Sequence, residues 1–224
     1  MHVVVNAAMS ADGKLSSRRR EQVRISGEAD FDRMDALRAA SDAVVVGVGT
    51  VLADDPHLTV KDDERRRRRL EAGESPSPAR VVVDSSGRTP PDAAVLDDAA
   101  ETYVCVTEDA PVETVDGLAE RATVVPAGTG RVDLPEAFAA LESAGLESIM
   151  VEGGGELIFS LVEADLVDEL RVFVGPRIIG GRDAPTLADG EGFVGDFPEL
   201  VLEDVERLDG GVVLSWRLDS DATV

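Results

Sequence analysis

Short apolar runs alternate with segments of helical periodicity along most of the chain. An uninterrupted run without polar alternation, as at residues 44–49, is typical of a strand buried on both faces of a mostly parallel sheet. The predicted strands cover residues 3–8, 44–49, 80–84, 103–106, 123–125, 149–151 and 168–174, and the predicted helices cover 26–40, 112–119, 134–141 and 156–166. Strands and helices that alternate in this way predict an α/β fold.

The C-terminal part of the chain has a different pattern. Residues 200–208 and 212–218 are both strand-like and flank the turn signal Asp209-Gly210-Gly211, which predicts an antiparallel hairpin. The predicted fold class is therefore α/β, with a mixed, mostly parallel central sheet that ends in an antiparallel hairpin. The sequence contains no internal repeat and no long linker, so we expect a single domain over residues 1–224.

Two local signals predict where helices begin and end. Ser26 is expected to cap the first helix, whose apolar face would carry Phe31, Met34 and Leu37. Further along, Pro56 disfavours helical geometry at the residue before it, so any helix that follows the strand at 44–49 is expected to be one turn long.

Three consecutive glycines follow the predicted strand at 149–151 and precede a predicted helix. Gly153, Gly154 and Gly155 allow positive φ angles and a close approach of another molecule to the backbone. The N-terminus of the next helix presents unpaired N–H groups and a positive dipole, which suit a phosphate or pyrophosphate. The alternative is a tight turn without a ligand, and neither the Rossmann nor the P-loop fingerprint is present.

The charge balance excludes several classes of partner. A formal net charge of −23 argues against nucleic acid and anionic membrane surfaces, and no apolar run is long enough to span a bilayer. We therefore expect a cytoplasmic protein. Acidic residues are abundant and Lys14 and Lys61 are the only lysines, which favours a halophilic protein in a salt-rich cytoplasm, where screening reduces self-repulsion.

Residues 62–79 contain five consecutive arginines and a Ser-Pro-Ser-Pro stretch. An arginine run can bind nucleic acid, but the opposing net charge favours a solvated surface excursion paired with local acids. The chain has one cysteine, Cys105, on a predicted strand, which suggests a buried, inert thiol. Nothing in the sequence requires a metal.

Six segments, in their order and spacing, resemble the reductase family of riboflavin biosynthesis. They are residues 9–14, 49–60, 83–85, 151–155, 166–170 and 175–181. The run Thr50-Val51-Leu52-Ala53-Asp54-Asp55-Pro56 is the most specific, and the resemblance extends from about residue 3 to residue 218. The chain lacks the His-x-Glu and Pro-Cys-x-x-Cys signature of the zinc deaminase domain that bacterial members usually carry, so it resembles the free-standing archaeal and fungal type.

The resemblance implies a dihydrofolate-reductase-like three-layer fold and a homodimer. The implied activity is NADPH-dependent reduction of the ribosyl group of 2,5-diamino-6-ribosylamino-4(3H)-pyrimidinone 5′-phosphate to a ribityl group. We expect the dimer interface on the strands near residues 170–174 and 200–218. The alternatives are a dihydrofolate- or pteridine-type reductase and a nucleotide-binding module without catalysis, because fold alone does not decide function.

The resemblance also implies roles for individual residues, with none assigned as a general acid. The expected cofactor-binding residues are Thr50, Asp54, Ser85, Gly153, Gly154, Gly155 and Glu156. The expected substrate-binding residues are Asn6, Arg38, Leu58, Lys61 and Glu152. Asp54 could instead be a local turn cap, Lys61 a surface lysine, and the loop of Ser85, Ser86 and Arg88 a plain turn rather than a site for the adenosine 2′-phosphate.

Overall fold

The structure is a computed structural model, and it describes residues 1–218. Its elements in chain order are β1 His2–Ser10, α1 Glu28–Ala40, β2 Ala43–Gly47, α2 Val48–Asp54, α3 Asp63–Glu71, β3 Ala79–Val83, a 3₁₀ helix Ala94–Leu96, β4 Thr102–Val106, α4 Val112–Ala119, β5 Thr123–Pro126, α5 Leu134–Ser143, β6 Ser148–Gly153, α6 Gly155–Glu163, β7 Glu169–Gly175, β8 Leu200–Leu208 and β9 Gly211–Leu218. The chain divides into two compact units. The first contains residue 1 and residues 35–150, and the second contains residues 2–34 and the residues from 151 onward. The prediction of a single domain stays a prediction.

The first unit contains a parallel ladder of four strands in the order β5, β4, β3, β2. The apolar run Val44–Val46 in β2 is buried, and so are all five residues of β4. β5 ends the ladder, and its residues are exposed or half-buried. The uninterrupted apolar runs therefore predicted buried parallel strands correctly.

One charged side chain is completely buried in this ladder. The guanidinium group of Arg80 on β3 donates to Thr102 Oγ1 at 3.0 Å, to Asp97 Oδ1 at 2.6 Å and to the carbonyl oxygens of Ala94 and Ala100. A buried cation is tolerated when it is paired and its donors are bonded. Arg80 thereby holds the connection between β3 and β4 against the sheet.

The second unit contains a mixed arrangement of strands. β1 pairs with β7 in parallel, β7 pairs with β9 in antiparallel, and β9 pairs with β8 in antiparallel. β8 and β9 are joined by Asp209 and Gly210, both with positive φ, as the predicted hairpin requires. The predicted fold class is confirmed: strands alternate with helices, most strand pairs are parallel, and the chain ends in an antiparallel hairpin.

An apolar cluster of the second unit forms where β7 and β9 pair. Phe173 on β7 and Val213 on β9 are partners in the ladder, and both are buried together with Ile25 from the segment before α1. Ala8, Val23, Ile179 and Leu208 complete this cluster. The cluster fixes the hairpin and the long loop after β1 to the same sheet face.

The predicted strand at residues 44–49 is too long, and the predicted single helical turn is too short. β2 ends at Gly47, and α2 begins at Val48 and runs for seven residues to Asp54. Pro56 restricts only the residue before it, Asp55, which leaves the helix with φ of 42°. Pro56 therefore does not limit the helix at its N-terminal end. The helix includes Val48 and Gly49, which the apolar pattern had placed in the strand.

The predicted start and apolar face of the first helix are also wrong. α1 begins at Glu28, and the Asp30 N–H in its first turn donates to Asp209 Oδ2 at 2.8 Å, so a residue distant in sequence provides the cap. Phe31 is 41% exposed, whereas Asp30 is buried. Local helical periodicity could not identify the buried face, because polar contacts determine it.

Residues 63–71 form α3, which the prediction of a surface excursion did not include. Its arginines Arg66, Arg67 and Arg68 pair with acids on the same helix, as expected for a solvated segment. Arg69 is different: it is buried and donates to the carbonyl oxygens of Ser75, Ala39 and Ser41. The expectation of a wholly solvated arginine run is therefore wrong for Arg69.

Cys105 is fully buried in β4, and burial raises the pKa of its thiol to about 12, which confirms the prediction of an inert thiol.

Within residues 1–218, every helix is too short or too polar to cross a bilayer.

Candidate active site

The glycine turn lies between β6 and α6 in the second unit. Gly153 is buried and has φ of 114°, a conformation that favours glycine, and the peptide bond that joins it to Gly154 is cis. Gly154 precedes the first residue of α6 and has no side chain with which to cap the helix. The N–H groups of the first helical turn, which includes Gly155 and exposed Glu156, therefore suit an anionic ligand.

Gly155 is required by the packing of the chain itself. A Cβ atom at this position would lie 2.3 Å from the carbonyl oxygen of Thr186 and 3.0 Å from a carboxylate oxygen of Asp189. The Asp189 N–H also donates to the Gly155 carbonyl oxygen at 3.1 Å. The third glycine thus accommodates the loop at residues 186–189, in addition to any close approach of a ligand.

Asn6 and Glu152 also belong to the second unit. Asn6 lies in the middle of β1, which continues to Ser10. Its side chain is buried, and its amide oxygen accepts a hydrogen bond from Arg33 at 2.8 Å, which directs the amide nitrogen as a donor toward other partners. Glu152 is half-buried at the carboxyl end of β6, where ligand-binding side chains of α/β sheets commonly lie.

Asp12 joins two of the segments that carry the family resemblance. Its carboxylate accepts hydrogen bonds from Ser10 Oγ at 2.6 Å and from the backbone N–H groups of Ile179 and Gly180. These bonds to the ionised form, that from Ser10 above all, lower the pKa of Asp12 to about 2. The turn after β1 and the loop after β7 therefore form one connected surface of the second unit.

In the first unit, Thr50 and Asp54 lie on the same face of α2. They are four residues apart within the helix, while Val48 and Val51 are buried and anchor it. The carboxyl group of Asp54 is exposed, yet partial desolvation raises its pKa above the ordinary value. The turn that follows is held by Asp55, whose carboxylate accepts from the Ala94 N–H at 2.7 Å.

The predicted substrate-binding cations of the first unit meet at Thr59. The buried guanidinium group of Arg38 donates to the Thr59 carbonyl oxygen at 3.0 Å, and Lys61 Nζ donates to Thr59 Oγ1 at 3.0 Å. Leu58, the residue before Thr59, is buried and has a φ of 51°. The structure thus brings Arg38 and Lys61 to the same residue, with Leu58 directly before it, and a role of the three in substrate binding stays a prediction.

Ser85 lies in an ordered loop after β3. Its Oγ accepts from the Val132 N–H at 3.1 Å, and buried Asp84 accepts two hydrogen bonds from Thr89 through Oδ2. Among residues 1–218, Asp84 Oδ1 is the buried side-chain oxygen or nitrogen without a hydrogen-bond partner, and Arg88 Nε lies 3.9 Å from Asp84 Oδ1. The loop is therefore a turn held by side-chain hydrogen bonds, with the guanidinium group of Arg88 at its exposed edge.

Sequence reasoning missed Asp35, which is buried beside the cationic residues of the first unit. Its carboxylate accepts from the backbone N–H groups of Lys61 and Asp62, and Arg65 donates to it. A signal was present, because Asp35 lies three residues before Arg38 and shares its helical face.

Comparison with known proteins identifies one family. The model of the RibD C-terminal domain matches residues 1–214. The chain is 47% identical over 218 residues to the 2,5-diamino-6-ribosylamino-4(3H)-pyrimidinone 5′-phosphate reductase of Archaeoglobus fulgidus, covering 97% of this chain and 98% of that protein. It is 49% identical over 191 residues to the reductase of the same name from Methanothermobacter thermautotrophicus, covering 85% of each.

The fold is also that of a solved structure. A pyrimidine reductase-like protein from Corynebacterium diphtheriae superposes with a TM-score of 0.82 over 98% of this chain and 92% of that one, at 21% identity. At this identity the likeness concerns the fold alone, and it agrees with the dihydrofolate-reductase-like α/β class predicted from the sequence.

The contact at Gly155 generates a prediction about stability. Gly155→Ala should destabilise the protein by about 1–3 kcal/mol, because the added methyl group overlaps the Thr186 carbonyl oxygen. Gly117→Ala on α4 is the matched control: no atom lies within 4 Å of its added methyl group, and the helix should gain up to about 1 kcal/mol. Urea unfolding of both variants would measure this, and equal stability would contradict the packing role.

Proposed function

The chain belongs to the RibD C-terminal domain family and is an oxidoreductase of riboflavin biosynthesis, and we propose that it reduces 2,5-diamino-6-ribosylamino-4(3H)-pyrimidinone 5′-phosphate with NADPH. The observation that carries this proposal is the 47% identity to the archaeal reductase of that name over 97% of the chain. The product would be the ribitylamino compound, in which the sugar has been reduced at C1′.

The proposed reaction acts on the open-chain form of the substrate, in which C1′ is joined to nitrogen by an imine double bond. NADPH, when bound, supplies a hydride to C1′. The nitrogen takes a proton from water, since we assign no side chain as general acid. The residues of the chain then have two tasks: to bind the two phosphate-bearing molecules and to orient them for transfer.

For the cofactor, the glycine turn and the N-terminus of α6 would hold the pyrophosphate. The first helical turn has no side-chain cap, and its N–H groups that lead into Glu156 have the chemistry that an anion needs. Thr50 and Asp54 would accept or donate hydrogen bonds at the ribose or carboxamide. Ser85, with Arg88 at the rim of the same loop, would bind the adenosine 2′-phosphate that distinguishes NADPH from NADH.

For the substrate, Arg38 and Lys61 would bind the 5′-phosphate. Both cations contact Thr59 and therefore lie at one short segment. Leu58, the residue before Thr59, would contact the substrate through its backbone or its apolar side chain. Glu152 would accept hydrogen bonds from the amino groups of the pyrimidinone, and the Asn6 amide would donate within the same region of the substrate.

An activity assay tests the proposal directly. In high-salt buffer, the absorbance of NADPH should fall when the ribosylamino-pyrimidinone phosphate is added, and mass spectrometry should detect a product heavier by two hydrogen atoms. Consumption of NADPH with dihydrofolate and none with the pyrimidinone would overturn the substrate assignment. Binding of NADPH without turnover of either compound would instead favour a nucleotide-binding module.

Asp54→Asn tests the cofactor role of α2. Loss of a hydrogen bond to the cofactor should weaken NADPH binding by about 1 kcal/mol, which is roughly fivefold, in a fluorescence titration. Because desolvation raises the pKa of Asp54, its ionised form slightly disfavours the folded state at neutral pH, so the variant should melt at the same temperature or higher. An unchanged Kd for NADPH, or a lower melting temperature, would support a local turn cap instead.

We also propose that the chain is a homodimer that pairs through β8. Every residue from Leu200 to Arg207 is exposed, including Leu202 and Val205, and an uncovered edge strand of this kind invites pairing. Light scattering should give twice the chain mass, and Leu202→Lys should give the single chain mass. Leu70→Lys, an equally exposed position on α3, should leave the dimer intact. A monomeric wild-type protein would contradict the proposal.

A further inference from the structure

Asp35 on α1 is a buried carboxylate that the reaction as described does not use. It is 5% exposed, and it accepts hydrogen bonds from the Lys61 N–H at 2.6 Å and from the Asp62 N–H at 3.2 Å. Arg65, in the first turn of α3, donates to Asp35 Oδ2 at 3.1 Å. Asp35 therefore accepts a hydrogen bond from the backbone of Lys61, a predicted substrate-binding residue, and is paired with the cation Arg65.

The segment at residues 58–62 is held from several sides. The Val60 N–H donates to buried Ser77, and the Thr59 carbonyl oxygen accepts from Arg38. Leu58 and Val60 are buried, whereas Lys61 is exposed, so the two apolar side chains anchor the segment and Lys61 lies at the surface. Asp35 makes the contact at the backbone of Lys61 itself, through the Lys61 N–H.

The ion pair with Arg65 explains how a carboxylate can occupy this position. An unpaired negative charge next to Arg38 and Lys61 would repel a phosphate dianion and cancel part of their attraction. Arg65 neutralises Asp35, and both partners are largely buried, with the Asp35 side chain 7% exposed and that of Arg65 21% exposed. The ammonium group of Lys61 donates to the neutral hydroxyl of Thr59, so its positive charge then remains available to a ligand.

We propose that Asp35 is a positioning residue for substrate binding: it fixes the backbone at Lys61 so that the ammonium group meets the phosphate of the substrate. Arg65 is its counter-ion rather than a ligand of the phosphate. This assignment rests on the proposed function, in which Lys61 binds a sugar phosphate. Lys61 needs such support more than an arginine would, because it binds phosphate as a single point charge on a flexible stem.

The test measures binding and kinetics in full-length Asp35→Asn, Lys61→Ala and the double variant. Asp35→Asn should raise the KM for the pyrimidinone phosphate about tenfold, while the KM for NADPH changes less than about twofold. In the Lys61→Ala background, adding Asp35→Asn should change the substrate KM less than about twofold, because the residue through which Asp35 acts is already absent. Full additivity of the two substitutions would overturn the proposal.

Asp62→Ala is the matched control for a purely structural effect. Its carboxylate caps α3 through the Arg65 N–H at 2.8 Å, while its own N–H still bonds to Asp35. This variant should lose stability in urea unfolding with little change in the substrate KM. If Asp35→Asn raised the KM for the pyrimidinone phosphate and the KM for NADPH by the same factor, and Asp62→Ala did likewise, Asp35 would have only a structural role.

A binding assay separates failure of this inference from failure of the proposed function. Calorimetry with ribose 5-phosphate, without NADPH, should detect binding to the wild-type protein, about tenfold weaker binding to Asp35→Asn, and none of ribose alone. If the wild type binds ribose 5-phosphate and Asp35→Asn binds it about tenfold more weakly, but the wild type does not turn over the pyrimidinone, the proposed function fails and the role of Asp35 stands. If the wild type does not bind ribose 5-phosphate, the positioning role is overturned.

Discussion

Carboxylates that accept backbone N–H groups are the interaction on which the loops of this structure depend. A buried N–H group needs an acceptor, and an ionised carboxylate offers two oxygens that form strong, charge-assisted bonds. Asp42 accepts the N–H groups of Glu147 and Ser148, and Asp168 accepts the N–H of Val3. The same arrangement recurs at Asp12, Asp35, Asp84 and Asp209. These bonds hold strand ends and connections in place without a disulfide.

Some of the many acidic residues therefore stabilise the fold, in addition to giving the protein its negative charge. Asp30 and Asp35 are buried and pair with Arg33 and Arg65, and the buried Arg80 pairs with Asp97, so arginines rather than lysines form these ion pairs. Arginine suits this purpose because its planar group forms several directed bonds at once. The remaining acids lie on the surface, where the net charge of −23 would repel itself in dilute salt. The halophilic character and the cytoplasmic location stay predictions.

The family assignment narrows the functional alternatives. Identity of 47–49% to two archaeal reductases of the riboflavin pathway favours that chemistry over a dihydrofolate- or pteridine-type reductase, although the overall fold suits all of them. The features that would distinguish them are local: the glycine turn before α6, the paired positions on α2, and the cations at Thr59. Each of these is held by neighbouring backbone contacts, which is what orientation for hydride transfer requires.

The sequence by itself determined the fold class, the hairpin and the glycine turn, because each depends on local physics. An apolar run without alternation indicates a buried parallel strand, Asp-Gly permits the positive φ angles of a tight turn, and a glycine before a helix leaves its N-terminus without a side-chain cap. The motifs that identify the family are contiguous as well, so the expected residues at positions 50–61 could be named in advance.

Only the tertiary structure decided which polar side chains are buried and what they hold. Asp209 caps a helix from which it is 179 residues distant, and Asp35 bonds a backbone N–H 26 residues away. The apolar pattern of α1 predicted its buried face incorrectly, because Asp35 and Arg38 are buried through polar contacts to the segment at 58–62. Periodicity reports hydrophobic burial within one element, whereas a buried charge is stable only if distant parts of the chain supply its partners.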